Sequence, residues 1–369
     1  MNTKQRMLRV LAGERVTPPP AVLHSWGDYK VEFAGHHPKF QYYQGGRELY
    51  EVEKAFYERF RPDWIHLGSA AWRGFWDQPR KVDGRRAFIR STDGKRWIEI
   101  LDNYLLADYS DVPWAQDAPE LRLGSRAEVD DYFAAAQYTE QDILDSGRFE
   151  HMEMVCREYG DRVLVAINDG APGYGLPNHS FEEAMIACME KPDLVAYYIF
   201  KACEAFLTDV RAAKAAGAHA YIFSESYGGS LDLLSPEQHE RLELDTKRWF
   251  YSEVRKIGIL GIGYWFGDVR PNMRFLNSLD MVGLLIEEDK KGFVLDPVEV
   301  RKLLRPEICL FGNVDSTLML RGRPDDIRAQ VHRQMQAANY GTFVVANGSP
   351  LIIGTPRENI DAYMKAARG

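Results

Sequence analysis

Residues 343–360 read Phe343-Val-Val-Ala-Asn-Gly-Ser-Pro-Leu-Ile-Ile-Gly-Thr-Pro-Arg-Glu-Asn-Ile360. An apolar strand runs into a polar, glycine-containing turn, and a helix opens behind it. A helix that merely closed a core would need no Asn347-Gly348-Ser349-Pro350 turn in front of it. The turn therefore reads as a working segment, held in place by the strand and the helix on either side.

Working outward, the same plan recurs along the chain. Short apolar runs rich in β-branched residues stand at AVLH (21–24), WIHL (64–67), VLVAI (163–167), AYIF (220–223), IGILGI (257–262), MVGLLI (281–286), ICLF (308–311) and FVVA (343–346). Near-continuous apolar strands are what a parallel sheet covered on both faces requires. Helix starts fall between them at Ser180-Phe-Glu-Glu183, Ser235-Pro-Glu-Gln238, Asp296-Pro-Val-Glu299 and Thr355-Pro-Arg-Glu358. Each offers a side-chain oxygen as N-cap and Glu or Gln three residues on. Gly217 closes the run AAKAAG as a helix stop. Eight such strands alternating with capped helices predict a (β/α)8 TIM barrel, in the α/β class.

The chain has 369 residues, and a typical barrel needs about 250. Most of the surplus lies after the second strand, over about residues 69–125. There AFIRSTDGKRWIEIL (87–101) predicts a β-hairpin on the Asp93-Gly94 turn, with Trp72, Trp76, Trp97 and Trp114 around it. The expectation is one domain over 1–369, with this hairpin as an insertion on the catalytic face.

Composition is ordinary for a globular protein, at 45% hydrophobic and 27% charged residues. The net charge of −8 and the lack of a basic stripe argue against nucleic acid. No apolar run reaches the roughly 20 residues of a membrane span. The first residues read as a short amphipathic helix without a signal-peptide core, so the cytoplasm is expected. The four cysteines, Cys156, Cys188, Cys203 and Cys309, form no CxxC pair and read as buried free thiols.

Barrel chemistry sits at the C-terminal ends of the strands, so the candidates follow from position. They are His24, Ser25, Trp26 and Asp28; His66 and Ser69; Asn168 and Asp169; Ser224, Glu225, Ser226 and Tyr227; Tyr264, Trp265, Phe266 and Asp268; Glu287, Glu288 and Asp289; Asn313 and Asp315; Asn347 and Ser349. Glu225, His24, His66 and Asp268 are the catalytic candidates. Trp26, Asn168, Asp169, Tyr264, Trp265, Glu287, Asn313, Asn347 and Ser349 are the substrate-binding candidates. The histidines could equally be satisfied inside the barrel, the aromatics could pack under the insertion, and Glu287-Glu288-Asp289 could be a solvated charge run. No GxGxxG follows the first strand, and no GxxxxGK[ST], GxSxG or HExxH occurs.

Several stretches resemble the uroporphyrinogen decarboxylase superfamily. They are the opening helix KQRMLRVLAGE (4–14), RVTPP (15–19), VAINDGAP (165–172), LLSPE (233–237), LFGNVD (310–315) and GTPRENI (354–360). The resemblance implies a barrel enzyme that forms homodimers. True decarboxylases of the family carry arginines after strand one, an Asp after strand two and a His in the final turn. Here those places read HSWGDYK (24–30), GSAA (68–71) and Ser349. Their substrate bears many carboxylates and calls for guanidinium or ammonium groups, whereas this mouth is expected to hold Glu225, Asp268 and Glu287. Corrinoid-linked methyltransferases, the other branch, hold zinc through a His-x-Cys after strand five and a Cys in the last turn. Here Tyr264-Trp265-Phe266 and Ser349 stand there, so no thiolate-activating zinc site is expected; a non-standard metal set such as His24, His66 and Glu225 stays an alternative.

The leading expectation is methyl transfer from a small neutral or cationic methylated compound to a corrinoid protein, with Glu225 as acid or base and His24 or His66 as proton donor. The alternatives are a decarboxylase or other lyase on a small or tetrapyrrole-related acid, with Arg270 holding a carboxylate, and a non-catalytic ligand-binding barrel.

Overall fold

The computed structural model describes residues 1–70, 74, 78–108, 119–225, 230–289 and 292–369. Trp72, Trp76, Trp114, Ser226 and Tyr227, singled out above, lie outside the described residues. In chain order the strands are β1 (Trp64–Gly68), β2 (Arg80–Asp83), β3 (Arg86–Arg90), β4 (Trp97–Ile100), β5 (Leu164–Gly170), β6 (Ala220–Glu225), β7 (Leu260–Trp265), β8 (Gly283–Ile286), β9 (Cys309–Phe311) and β10 (Phe343–Val344). One sheet is all parallel, in the order β1-β5-β6-β7-β8-β9-β10.

The eighth stave is the segment 20–24. Val22 N donates to Val345 O (2.9 Å) and Val345 N to Pro20 O (2.8 Å), while Asp63 N donates to Ala21 O (2.8 Å). The segment thus joins β10 to β1 and closes the ring. It is less regular than the other staves, because Pro18, Pro19 and Pro20 lead into it and a proline has no N–H for a ladder.

Side chains alternate between two cores, as a strand's twofold period dictates. Val22, Trp64, Ala166, Ile222, Tyr264 and Phe311 fill the barrel interior, and Met7, Val10 and Leu11 of helix Thr3–Leu11 plug its N-terminal end. Ile65, Val165, Tyr221, Phe223 and Trp265 face the helical layer. This alternation assigns each strand-end residue to one face or the other.

The expected caps at Ser180, Ser235 and Asp296 are present, each side chain accepting a backbone N–H of its helix. Gly217 stops the helix Pro192–Ala215 at φ +101°. Two expectations are corrected. Ile257 ends a helix rather than starting a strand, since Gly258 terminates Pro236–Ile257 in the left-handed conformation. Thr355 does not cap the last helix; its hydroxyl donates to Ile352 O (2.7 Å).

The insertion forms a three-stranded antiparallel sheet, β2-β3-β4, with the expected hairpin between β3 and β4 and one further strand in front of it. It has its own small core around Ile89, Ile98, Phe40 and Tyr43. Arg80 binds it to Glu48 (2.6 Å) and to Tyr43 O (2.7 Å), and Tyr104 OH donates to Asp28 (2.8 Å) at the barrel rim. Among the described residues, no helix is long and apolar enough to cross a membrane.

Candidate active site

A cleft of about 360 Å³ opens over the C-terminal ends of β1, β5 and β6. That lies at the lower end of the small-ligand range. Inward alternation brings His66, Asn168 and Ser224 to its floor, and Asp169 and Ser69 follow at the strand ends. Trp26, Gln41 and Tyr42 form the rim, and His151 reaches in from helix Glu150–Tyr159.

The polar groups are tightly specified. His66 Nδ1 lies 2.8 Å from Ser25 O, and His151 Nε2 lies 2.9 Å from Gly68 O. A carbonyl only accepts, so those ring nitrogens carry the protons. Burial holds both imidazoles neutral: His66 is pushed well below its usual value, with His24 and Lys30 adding to the effect, and His151 falls to about 4. Asn168 Nδ2 donates to Ser224 Oγ (2.9 Å) and to Ile222 O (3.3 Å). Burial lifts the Tyr42 phenol to about 12, so it stays protonated.

Among the described residues, Arg148, Lys30 and Arg270 are each engaged by carboxylates. Arg148 spans Asp169 (2.6 Å) and the buried Asp209. Lys30 is buried against Glu53 (2.8 Å) and also donates to His66 O, which fixes the backbone that carries the imidazole. Burial raises the Glu53 carboxyl above its usual range, and Lys30 pulls against that rise. Arg270 forks onto Asp268 (2.8 and 2.9 Å).

Of the residues expected from sequence, Trp26, His66, Asn168 and Asp169 meet in the cleft. His24 and Tyr264 lie within the barrel, the His24 ring 5.1 Å from His66 and 4.7 Å from Tyr264. Glu225 is a correction. Ser224 takes the inward position, so Glu225 turns to the helical layer and pairs with Lys247 at 2.6 Å, both side chains fully buried. Burial raises its carboxyl to about 7, with Lys247 opposing. Trp265 shares that orientation, packed edge-on to Phe275 at 5.3 Å.

The remaining candidates fasten turns away from the cleft. Glu287 accepts from Gly267 N (2.8 Å), and Asn313 Nδ2 donates to Glu287 O and Leu295 O. Asn347 exchanges hydrogen bonds with the His24 backbone (2.9 and 2.7 Å) and donates to Ser349 O (2.7 Å). The turn 347–350 is therefore the clasp between the last stave and the first. His151, Gln41 and Tyr42 escaped the sequence reading, because a helix and a loop outside the strand ends carry them. The only available signal was one histidine in an otherwise ordinary amphipathic helix.

The model of the family described as Uroporphyrinogen decarboxylase (URO-D) matches residues 149–369. The chain belongs to the uroporphyrinogen decarboxylase family. The match takes in β5, β6 and His151; His66 and the rim lie ahead of it. Among solved structures, this family member is similar to a methyltransferase from Methanosarcina mazei, at 18% identity and a TM-score of 0.72, over 100% of this chain and 98% of that one. It is more distantly similar to the homocysteine methyltransferase MmuM from Escherichia coli in its apo form. That match has 11% identity and a TM-score of 0.43, over 94% and 95% of the two chains. No curated protein matches the chain by sequence.

A thiolate-activating zinc, which the methyltransferase branch would imply, does not fit the residues present. Tyr264 and Trp265 point to opposite sides of β7, Ser349 replaces a thiol, and burial raises the Cys188, Cys203 and Cys309 thiols to about 11 or 12.

Proposed function

We propose that this family member is a methyltransferase that moves a methyl group from a small neutral or cationic methylated compound to a corrinoid carried by a partner protein docked over the barrel mouth. The observation that carries this reading is the charge state of the cleft. Lys30 and Arg148 are tied to carboxylates, so among the described residues neither of these cations is free to receive a polyanionic tetrapyrrole, and a volume of about 360 Å³ suits a small compound.

The corrinoid of the partner would supply the nucleophile that takes the methyl group. This chain would hold the donor, with the faces of Trp26 and Tyr42 covering its apolar part and any positive charge on it. The atom that loses the methyl keeps the bonding electron pair. An ammonium donor therefore leaves as a neutral amine and needs no acid, which suits histidines held neutral. His66, whose ring proton is bound to Ser25 O, is an acceptor or base here, which reverses the proton-donor role expected from sequence. The lyase reading needs Arg270 for a substrate carboxylate, but Asp268 occupies that guanidinium.

The test is incubation with a corrinoid protein and a panel of methylated amines and ethers, reading the corrinoid spectrum and the demethylated product. Corrinoid-dependent loss of one methyl per turnover is expected. Carbon dioxide release from an acid without any corrinoid would move the protein to the lyases. Ligand-induced stabilisation with nothing consumed would make it a binding barrel.

A further inference from the structure

Two imidazoles share the cleft and the same construction. His66 and His151 are 3% and 2% exposed, and each gives its only ring proton to a backbone carbonyl. His66 Nε2 and His151 Nδ1 are thus lone pairs, and among the described residues neither has a hydrogen-bond partner. A buried acceptor without a partner is costly, and here the two residues that carry one line a single cavity. Gln41 Nε2 at the rim is a buried donor that also has no partner among the described residues, and the other polar groups nearby are spent. Asn168 spends its amide on Ser224 and Ile222, Ser69 donates to Asp169 (3.3 Å), and Glu53 already holds Lys30. The cleft therefore offers two spare acceptors and, at its rim, one spare donor.

We propose that this cleft selects its ligand by two polarised X–H groups, hydroxyl or ammonium, received by His66 Nε2 and His151 Nδ1. The inference rests on the cleft being the substrate site of the proposed methyl transfer, and it narrows the substrate class. A fully etherified compound or a quaternary ammonium ion cannot satisfy both nitrogens and is rejected. His151 becomes a specificity-determining residue, and its Nε2–H bond to Gly68 O leaves Nδ1 as the ring's acceptor.

The test is calorimetric binding of chelator-treated protein to resorcinol, 3-methoxyphenol and 1,3-dimethoxybenzene, which carry two, one and no donors on one ring. Methylammonium and tetramethylammonium form a second arm at constant charge, separating an ammonium ligand from a hydroxyl one. Affinity should fall by about tenfold or more with each donor removed, in at least one arm. His151→Leu should flatten that series, and His151→Gln, which keeps a donor for Gly68 O and an acceptor for the ligand, should restore part of it. Far-UV circular dichroism checks that each variant folds, and the wild-type series decides the matter if one does not. Equal or tighter binding of the donor-free compounds in both arms would overturn the proposal. So would donor preference left intact in a folded His151→Leu protein, or binding that appears only when zinc is added back. Because no partner or turnover is needed, donor-dependent binding without methyl transfer would sink the activity and leave the selection standing.

Discussion

Replacing Lys247 by methionine tests whether Glu225 serves the fold or the chemistry. The two side chains are fully buried and meet at 2.6 Å, and Lys247 Nζ also donates to Pro172 O at 2.6 Å. Glu243 lies one turn away on the same helix and is fully buried as well. Losing the ammonium would leave Glu225 facing that second acid in a dry layer. Breaking a buried pair by removing one partner costs about 3–5 kcal/mol.

The cost should depend on pH, and its sign follows from Glu225. Its folded value of about 7 lies above the ordinary 4.5, so the folded state holds the proton more tightly than the unfolded one. The stability this supplies is complete below 4.5 and is lost as pH rises through about 7. Without Lys247 the folded value climbs further, so the penalty should be larger at pH 8 than at pH 5. Chemical unfolding followed by far-UV circular dichroism at both pH values reads it. The double variant Glu225→Gln/Lys247→Met, which removes the Glu225 charge together with its partner, should recover at least half of the loss. A Lys247→Met protein within about 1 kcal/mol of wild type at both pH values would refute the reasoning, since a stranded buried charge cannot be that cheap. Loss of turnover in Glu225→Gln with an unchanged unfolding midpoint would put Glu225 back in the active site.

Two further outcomes follow from the clasp and the cleft. Asn347→Asp turns an amide that donates to His24 O and Ser349 O into a carboxylate facing both carbonyls. It should cost at least about 2–3 kcal/mol and lower the melting temperature, whereas an unchanged melt would mean the ring is closed by other bonds. His151 has a folded value of about 4 against an ordinary 6.5. Its contribution is present above 6.5 and lost as pH falls through about 4, a span worth about 3 kcal/mol. A pH series of unfolding midpoints should therefore slope less steeply between those limits in His151→Leu, and an identical slope would remove His151 from the titrating set.

Much of the fold was legible because it depends on local signals. Apolar runs of the right length, Pro and Ser at helix starts and Gly217 at a helix end each act within a few residues. The hairpin at Asp93-Gly94 is likewise a short-range feature. The misses at Ile257 and Thr355 are shifts of three residues and of one at element ends, where the same residue types serve either neighbour. The first stave was legible as an apolar run, but its weak pairing was not, because the preceding prolines matter only once β10 lies beside them.

The site divided differently. That residues at strand ends would gather at one mouth follows from the strand-helix alternation, and Trp26, His66, Asn168 and Asp169 do gather there. Which way each one points was decided by register. A single step along β6 separates Ser224, turned to the cleft, from Glu225, turned to Lys247, and one step along β7 separates Tyr264 from Trp265. The pattern of apolar runs carries almost no phase at a strand's polar tip, where the alternation has already run out of hydrophobic residues to mark it. The sequence by itself determined a ring of alternating strands and helices with a polar end. Only the packed structure decided which polar groups share the cleft, because side-chain direction and the arrival of His151 from a helix depend on contacts between segments far apart in the chain.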